Sequence, residues 1–163
     1  MAARKPCPKC GSTARNFSVD LHDTISTTVT VDATVVTYPQ NLLSLARALV
    51  DEGRFGIAVI VAHMACEVAT ERSLTEAFLT KGVLYLEDAL SEFLNGYNLA
   101  NERNRKFYVA LTGNDMTTEP FWPAFRQSAK RRNDIMHGSL IVGKTEADES
   151  VKAATDLVAY LRK

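Results

Sequence analysis

Apolar positions change their period near residue 38. Before it, in "FSVDLHDTISTTVTVDATVVTY" (17–38), Val19 and Leu21, then Val29, Val31, Ala33 and Val35, alternate with Thr, Ser and Asp. A period of two with β-branched enrichment predicts one or two strands, and "HDTIST" supplies a break between them. From Pro39 onward the period becomes helical. Leu42, Leu45, Ala46 and Leu49 form a first stripe that Gly53 stops. Residues 55–79 predict a long second helix, apolar nearly all round in its first half and therefore central. Gly82 breaks it. Val83, Leu86, Leu90, Phe93 and Leu94 mark a third helix, and residues 99–112 a fourth with Phe107, Tyr108 and Leu111 inward.

A loop, "TGNDMTTEP", precedes a fifth helix expected over about 119–137, with Pro120 and Glu119 in its first turn. The last helix is expected over about 146–162, capped by Thr145 with Asp148 three residues on. Its inward face is Val151, Ala154, Val158 and Leu161. No internal repeat or low-complexity segment appears. The chain reads as mainly α: a bundle of five to six helices over 39–163, behind a small head over 1–38.

Composition narrows the class without choosing a function. In 163 residues, hydrophobic types make up 46% and charged types 23%, as in ordinary globular domains. Lys+Arg and Asp+Glu both total 19, so only local clusters can argue for a nucleic-acid partner. "MAARKPCPKC" lacks the apolar core of a secretory signal. The most apolar run, "FGIAVIVAHMACEVA", is interrupted by His63 and Glu67 and is too short to span a bilayer. A cytoplasmic protein with no membrane partner is expected.

The head carries "CPKCG". Such a turn aims Cys7 and Cys10 at one ion, as in a zinc knuckle. Tetrahedral zinc needs four ligands. His22 is a candidate third; alternatively, two chains each contribute a C-x-x-C pair. A redox role fits less well, since no thioredoxin-like βαβ pattern surrounds the pair. Cys66, mid-helix among apolar residues, reads as core. Trp122, in "PFWPAF", reads as packing at a helix start.

The fifth helix ends in "RRNDIMHG" (131–138). Phe125, Ala129 and Met136 share one stripe, and Arg132 occupies the position that completes it. A cation on an apolar stripe is costly unless something accepts its charge. Asn133 and His137 are i, i+4, and Lys130 joins their face. Arg132 and His137 stand about 140° apart on an ideal helix, so they converge only at its end, where Gly138 is placed to be the left-handed cap. A plain structural reading competes: a last-turn histidine complements the helix dipole, and arginine-rich surfaces are commonly just solvated.

"RNDIMHG" resembles the signature of the HEPN superfamily: an arginine beside a polar residue, then a histidine after four to six positions. Arg132, Asn133 and His137 match it, late in an α-helical chain with one helix to follow. The resemblance covers roughly 39–163. It implies a helical bundle and metal-independent endoribonuclease chemistry, often in toxins or phage-defence proteins. It also implies homodimers that face two motifs into one groove, with an antitoxin or sensor protein as a further partner.

The residue types suit that chemistry. Metal-free RNA cleavage uses the 2′-OH as nucleophile on the adjacent phosphate. It needs proton management, which histidine supplies near neutral pH, and a cation on the phosphorane, where arginine binds bidentately. Asn133 would orient the imidazole or touch phosphate. Arg126, Lys130 and Arg131 add charge for RNA phosphates. A second cluster, Arg103, Arg105 and Lys106, serves either RNA or solubility. His63 and Glu67, i, i+4 on the second helix, read as a buried pair. Glu67 also resembles a recurrent glutamate of the superfamily and would support the motif arginine by a salt bridge. The alternative function is a non-catalytic RNA- or protein-binding module with a structural zinc head.

Overall fold

The computed structural model describes residues 37–94, 96–138 and 140–162, with side chains 91–93 also outside the description. The chain divides into two compact units, Met1–Thr34 and Val35–Lys163, and all described residues belong to the second. Cys7, Cys10, His22 and the strands expected before residue 37 lie outside the described residues. Within them the regular structure is wholly helical.

Six α-helices follow in order: α1 Tyr38–Asp51, α2 Phe55–Lys81, α3 Glu87–Leu94, α4 Glu102–Thr112, α5 Trp122–Gly138 and α6 Lys144–Tyr160. Short 3-10 turns at Leu84–Leu86 and Met116–Thr118 lead into α3 and towards α5. The early helix ends obey their glycines. Gly53 (φ 76°) follows α1, and Arg54 N–H reaches back to Leu49 O at 2.8 Å. Gly82 (φ 71°) follows α2, and Val83 N–H reaches Phe78 O at 3.0 Å. Each bond satisfies a carbonyl that the helix would leave orphaned.

Helix α2 is the axis of the bundle, packed against α1, α4, α5 and α6. Its buried side is mostly small: Ala58, Val59, Ala62, Ala65, Cys66 and Ala69. Small side chains let neighbouring backbones approach, and larger residues on α1, α5 and α6 fill the remaining space. Leu42, Ala46 and Leu49 are buried as the α1 stripe predicts, but Leu45 is 50% exposed and Val50 is buried instead. Val151, Ala154, Val158 and Leu161 all face the core. Cys66 is buried with its thiol 3.9 Å from Ala154 O, and burial pushes that thiol far above the usual range. It is a core residue. Trp122 is buried against Phe125 with ring centroids 5.6 Å apart.

Three helix starts depart from the sequence reading, the first being α4, which begins at Glu102 and not at 99, behind the Asn101 cap. Helix α5 starts at Trp122 and not near 119, because Glu119 closes the 116–118 3-10 turn in an extended conformation (ψ 143°) that no helix can include. Helix α6 starts at Lys144, two residues before the expected start. Its cap is Gly143, whose N–H donates to the Glu146 carboxylate at 2.9 Å, so Thr145 and Asp148 are not the capping pair. Among the described residues no helix is long and apolar enough to cross a membrane.

Candidate functional site

Helix α5 has two working faces. Inward, Phe125, Ser128, Ala129 and Arg131 are buried, and Ile135 packs on the core. This track follows steps of three and four from residue 128. The expected stripe through Met136 leaves the core instead: Met136 is 53% exposed and Arg132 only half-buried. Outward, Arg126, Lys130, Asn133 and His137 are all exposed. Steps of four, three and four keep these four within about 60° of one another around the helix. A single solvent-facing strip therefore carries two cations, an amide and an imidazole.

The two adjacent arginines separate. Arg131, expected beside the motif as a phosphate contact, turns inward and is 7% exposed. It donates to Glu146 O at 2.8 Å and to Ser150 Oγ at 2.6 Å, and meets the Glu149 carboxylate at 3.3 Å. Its guanidinium pins the end of α5 to the first turns of α6. It is not a surface cation, because those acceptors hold it inside the interface. Arg132 lies off the outward strip, half-buried, and donates across to Asn133 Oδ1 at 3.1 Å.

Behind Arg132 lies a buried group on α2. His63 is 2% exposed and stacks flat on Phe125, with centroids 6.0 Å apart and planes 6° from parallel. Its Nε2 lies 3.6 Å from Glu67 Oε1, too far for a hydrogen bond, and neither ring nitrogen has a partner. Burial, with the nearby Arg132 charge, lowers the His63 pKa to about 4, so the ring is neutral near pH 7. Glu67 is half-buried. Burial raises its pKa, and the Arg132 charge works against that rise. The sequence reading made His63 and Glu67 a buried pair, and the resemblance implied in addition a salt bridge from Glu67 to Arg132. The structure does set the Glu67 carboxylate beside His63, short of a hydrogen bond, while Arg132 reaches it through the field rather than by an ion pair.

His137 occupies the last turn of α5, and the expected left-handed cap does not form. Gly138 is the final helical residue and is not among the positive-φ glycines. Leu140 N–H donates to Asp134 O at 3.3 Å across the exit. Among the described residues no hydrogen bond joins His137 to Arg132 or Asn133. The second basic cluster has local work: Arg105 lies 5.2 Å over the Trp122 ring, and Lys106 pairs with Glu102 at 2.7 Å. No group of three or more His, Cys, Asp or Glu side chains among the described residues could hold a metal ion.

One feature was illegible from spacing alone. Arg131 and Arg132 look equivalent in sequence, and only the position of Ser150 and the Glu146 carbonyl on α6 tells them apart. Comparison with family models, with curated proteins and with solved structures returns no match.

Proposed function

We propose that this protein is a metal-independent endoribonuclease of the HEPN type, a toxin or phage-defence effector acting as a homodimer through the α5 motif face. The observation that carries the reading is the separation of the two arginines. Arg131 is held within the fold, which leaves Arg132 bonded to Asn133 beside an exposed strip ending in His137. A cation, an amide and an imidazole at one exposed helix end suit an RNA phosphodiester. Arg126 and Lys130 continue the strip and would track neighbouring phosphates.

The reaction needs no metal. The 2′-oxygen attacks phosphorus as its proton passes to a base, and the bond to the 5′-oxygen breaks as that oxygen gains a proton. His137 would manage protons, and Arg132 would neutralise the charge gathered on the phosphorane. Asn133 would hold the guanidinium in place. Products end in 2′,3′-cyclic phosphate and 5′-hydroxyl.

The test is incubation of the full-length protein with total RNA in EDTA, with end-group analysis. His137→Ala and Arg132→Ala should each cut activity by about 10²–10⁴-fold and remain folded. Asn133→Ala should be milder, since the charge survives. Cleavage that vanishes with EDTA, or that persists undiminished in His137→Ala, rejects the mechanism. RNA binding without cleavage would leave the non-catalytic module, with a zinc-knuckle head on Cys7 and Cys10, as the better description.

A further inference from the structure

His63 is an expensive choice for its position. A phenylalanine there would keep the stack on Phe125 and leave no polar atom unmet. The imidazole instead buries two nitrogens without a partner, and an unmet buried polar atom keeps the full cost of its desolvation. Unsatisfied groups of this kind call for an explanation, and functional sites are where they recur.

The groups facing His63 supply one. On its own helix, one turn on, is the Glu67 carboxylate, 3.6 Å from Nε2. From α5 come the Phe125 ring and the Arg132 charge. Exposure rises from buried His63 through half-buried Glu67 and Arg132 to exposed Asn133.

We propose that His63 is a positioning residue whose Nε2–H fixes the Glu67 carboxylate, and that Glu67 so held aims the Arg132 guanidinium outward beside Asn133. The gap at Nε2 closes with a shift of well under 1 Å in the Glu67 side chain, to the ordinary N–H···O separation of about 2.9 Å. When an RNA phosphate engages Arg132, it offsets the positive field that Arg132 sets on Glu67. The half-buried carboxylate then needs another donor, and His63 is the donor in place. A neutral, buried ring cannot exchange protons with substrate, so His63 acts through Glu67 and not on RNA.

The last link rests on the ribonuclease reading; the first does not. The experiment therefore has two arms on the full-length protein. In the first, the His63 ring nitrogens are followed by NMR in wild type and Glu67→Gln. The Nε2–H tautomer is expected, with its resonance moving in Glu67→Gln. A resonance indifferent to Glu67→Gln would overturn the inference even if no RNA is ever cut. In the second arm, His63→Phe should melt at or above the wild-type temperature while kcat falls about 10- to 100-fold with little change in KM. That is the scale on which orienting partners act in metal sites. His63→Gln, whose amide can donate, should recover much of the loss. Wild-type cleavage by a folded His63→Phe would overturn it. Wild-type protein that cuts no RNA would reject the ribonuclease reading alone and leave the first arm to decide.

Discussion

Arg131 holds its charge in the α5–α6 interface by donating to a carbonyl and a hydroxyl that are themselves buried or helix-bound. Charge-assisted bonds of this kind contribute about 1.5–3 kcal/mol each, and the long stem adds packing. Glu149, by contrast, is 57% exposed at its side chain, so its share of the ion pair is screened. Arg131→Ala should therefore destabilise by about 2–4 kcal/mol, and Glu149→Ala by less than about 1 kcal/mol, read from urea midpoints. Equal losses would mean that the carboxylate, not the α6 acceptors, holds the arginine. His63 makes a second residue-scale case. Its folded pKa is lowered from 6.5 to about 4, so between those values the unfolded chain binds the extra proton. Stability from this group is complete above about pH 6.5 and falls as pH drops towards 4, by on the order of 3 kcal/mol. The raised Glu67 pKa acts in the opposite direction over the acid range and trims that loss. Urea unfolding from pH 7 to pH 4 should show the fall in wild type and a flatter profile in His63→Phe.

At the scale of elements, glycine positions separate two kinds of helix end. Gly113 caps α4 at φ 76° with nothing within 4 Å of an added Cβ, so alanine there meets backbone strain and no clash. Gly138 also has open space, but it is the last residue of α5 with no positive φ. Gly113→Ala should cost about 1 kcal/mol, whereas Gly138→Ala should be neutral or stabilise by up to about 1 kcal/mol. Thermal melts of both variants check it, and a loss in Gly138→Ala would restore the left-handed cap. The same contrast shows what was legible in the sequence. Helix existence followed from period and glycine breaks, as at Gly53 and Gly82, because those signals are local. The inward track of α5 did not, because Arg131 and Ile135 face inward only where α6 and α2 offer them a place. Ser150 and the Glu146 carbonyl draw Arg131 in, and Ile135 comes to rest against Gly56, whose added Cβ would sit 3.9 Å from Ile135 Cγ2. Hydrophobic period alone favours Met136 and puts an arginine on the wrong stripe. The pairing of His63 with Glu67 was legible as i, i+4 spacing, whereas its approach to Arg132 depends on how α2 and α5 cross.

For the whole molecule, the question is what the motif end of the bundle meets. The close approach of Gly56 and Ile135 sets the start of α2 against the end of α5. The two helices and the chain after α5 also expose large apolar side chains. Ile57 and Met64 are seven residues apart on one face of α2, at 43% exposure each, and Met136 and Leu140 are 53% and 42% exposed. Ile141 is 93% exposed. Scattered single apolar residues need no explanation, whereas a contiguous patch of them is the kind of surface that a partner covers. A homodimer through this face would cover these residues and bring two Arg132–His137 ends near each other. Ile141 is the sharpest probe, because its side chain has almost no contact within its own chain to lose. Ile141→Asp should leave the melting temperature of the monomer unchanged. Sedimentation should then show a shift from dimer to monomer, with RNA cleavage falling in the same concentration range. Dimers that persist in Ile141→Asp and in Met136→Lys would place any self-association elsewhere. Monomeric variants that cut RNA as wild type does would show that one Arg132–His137 end suffices for the chemistry.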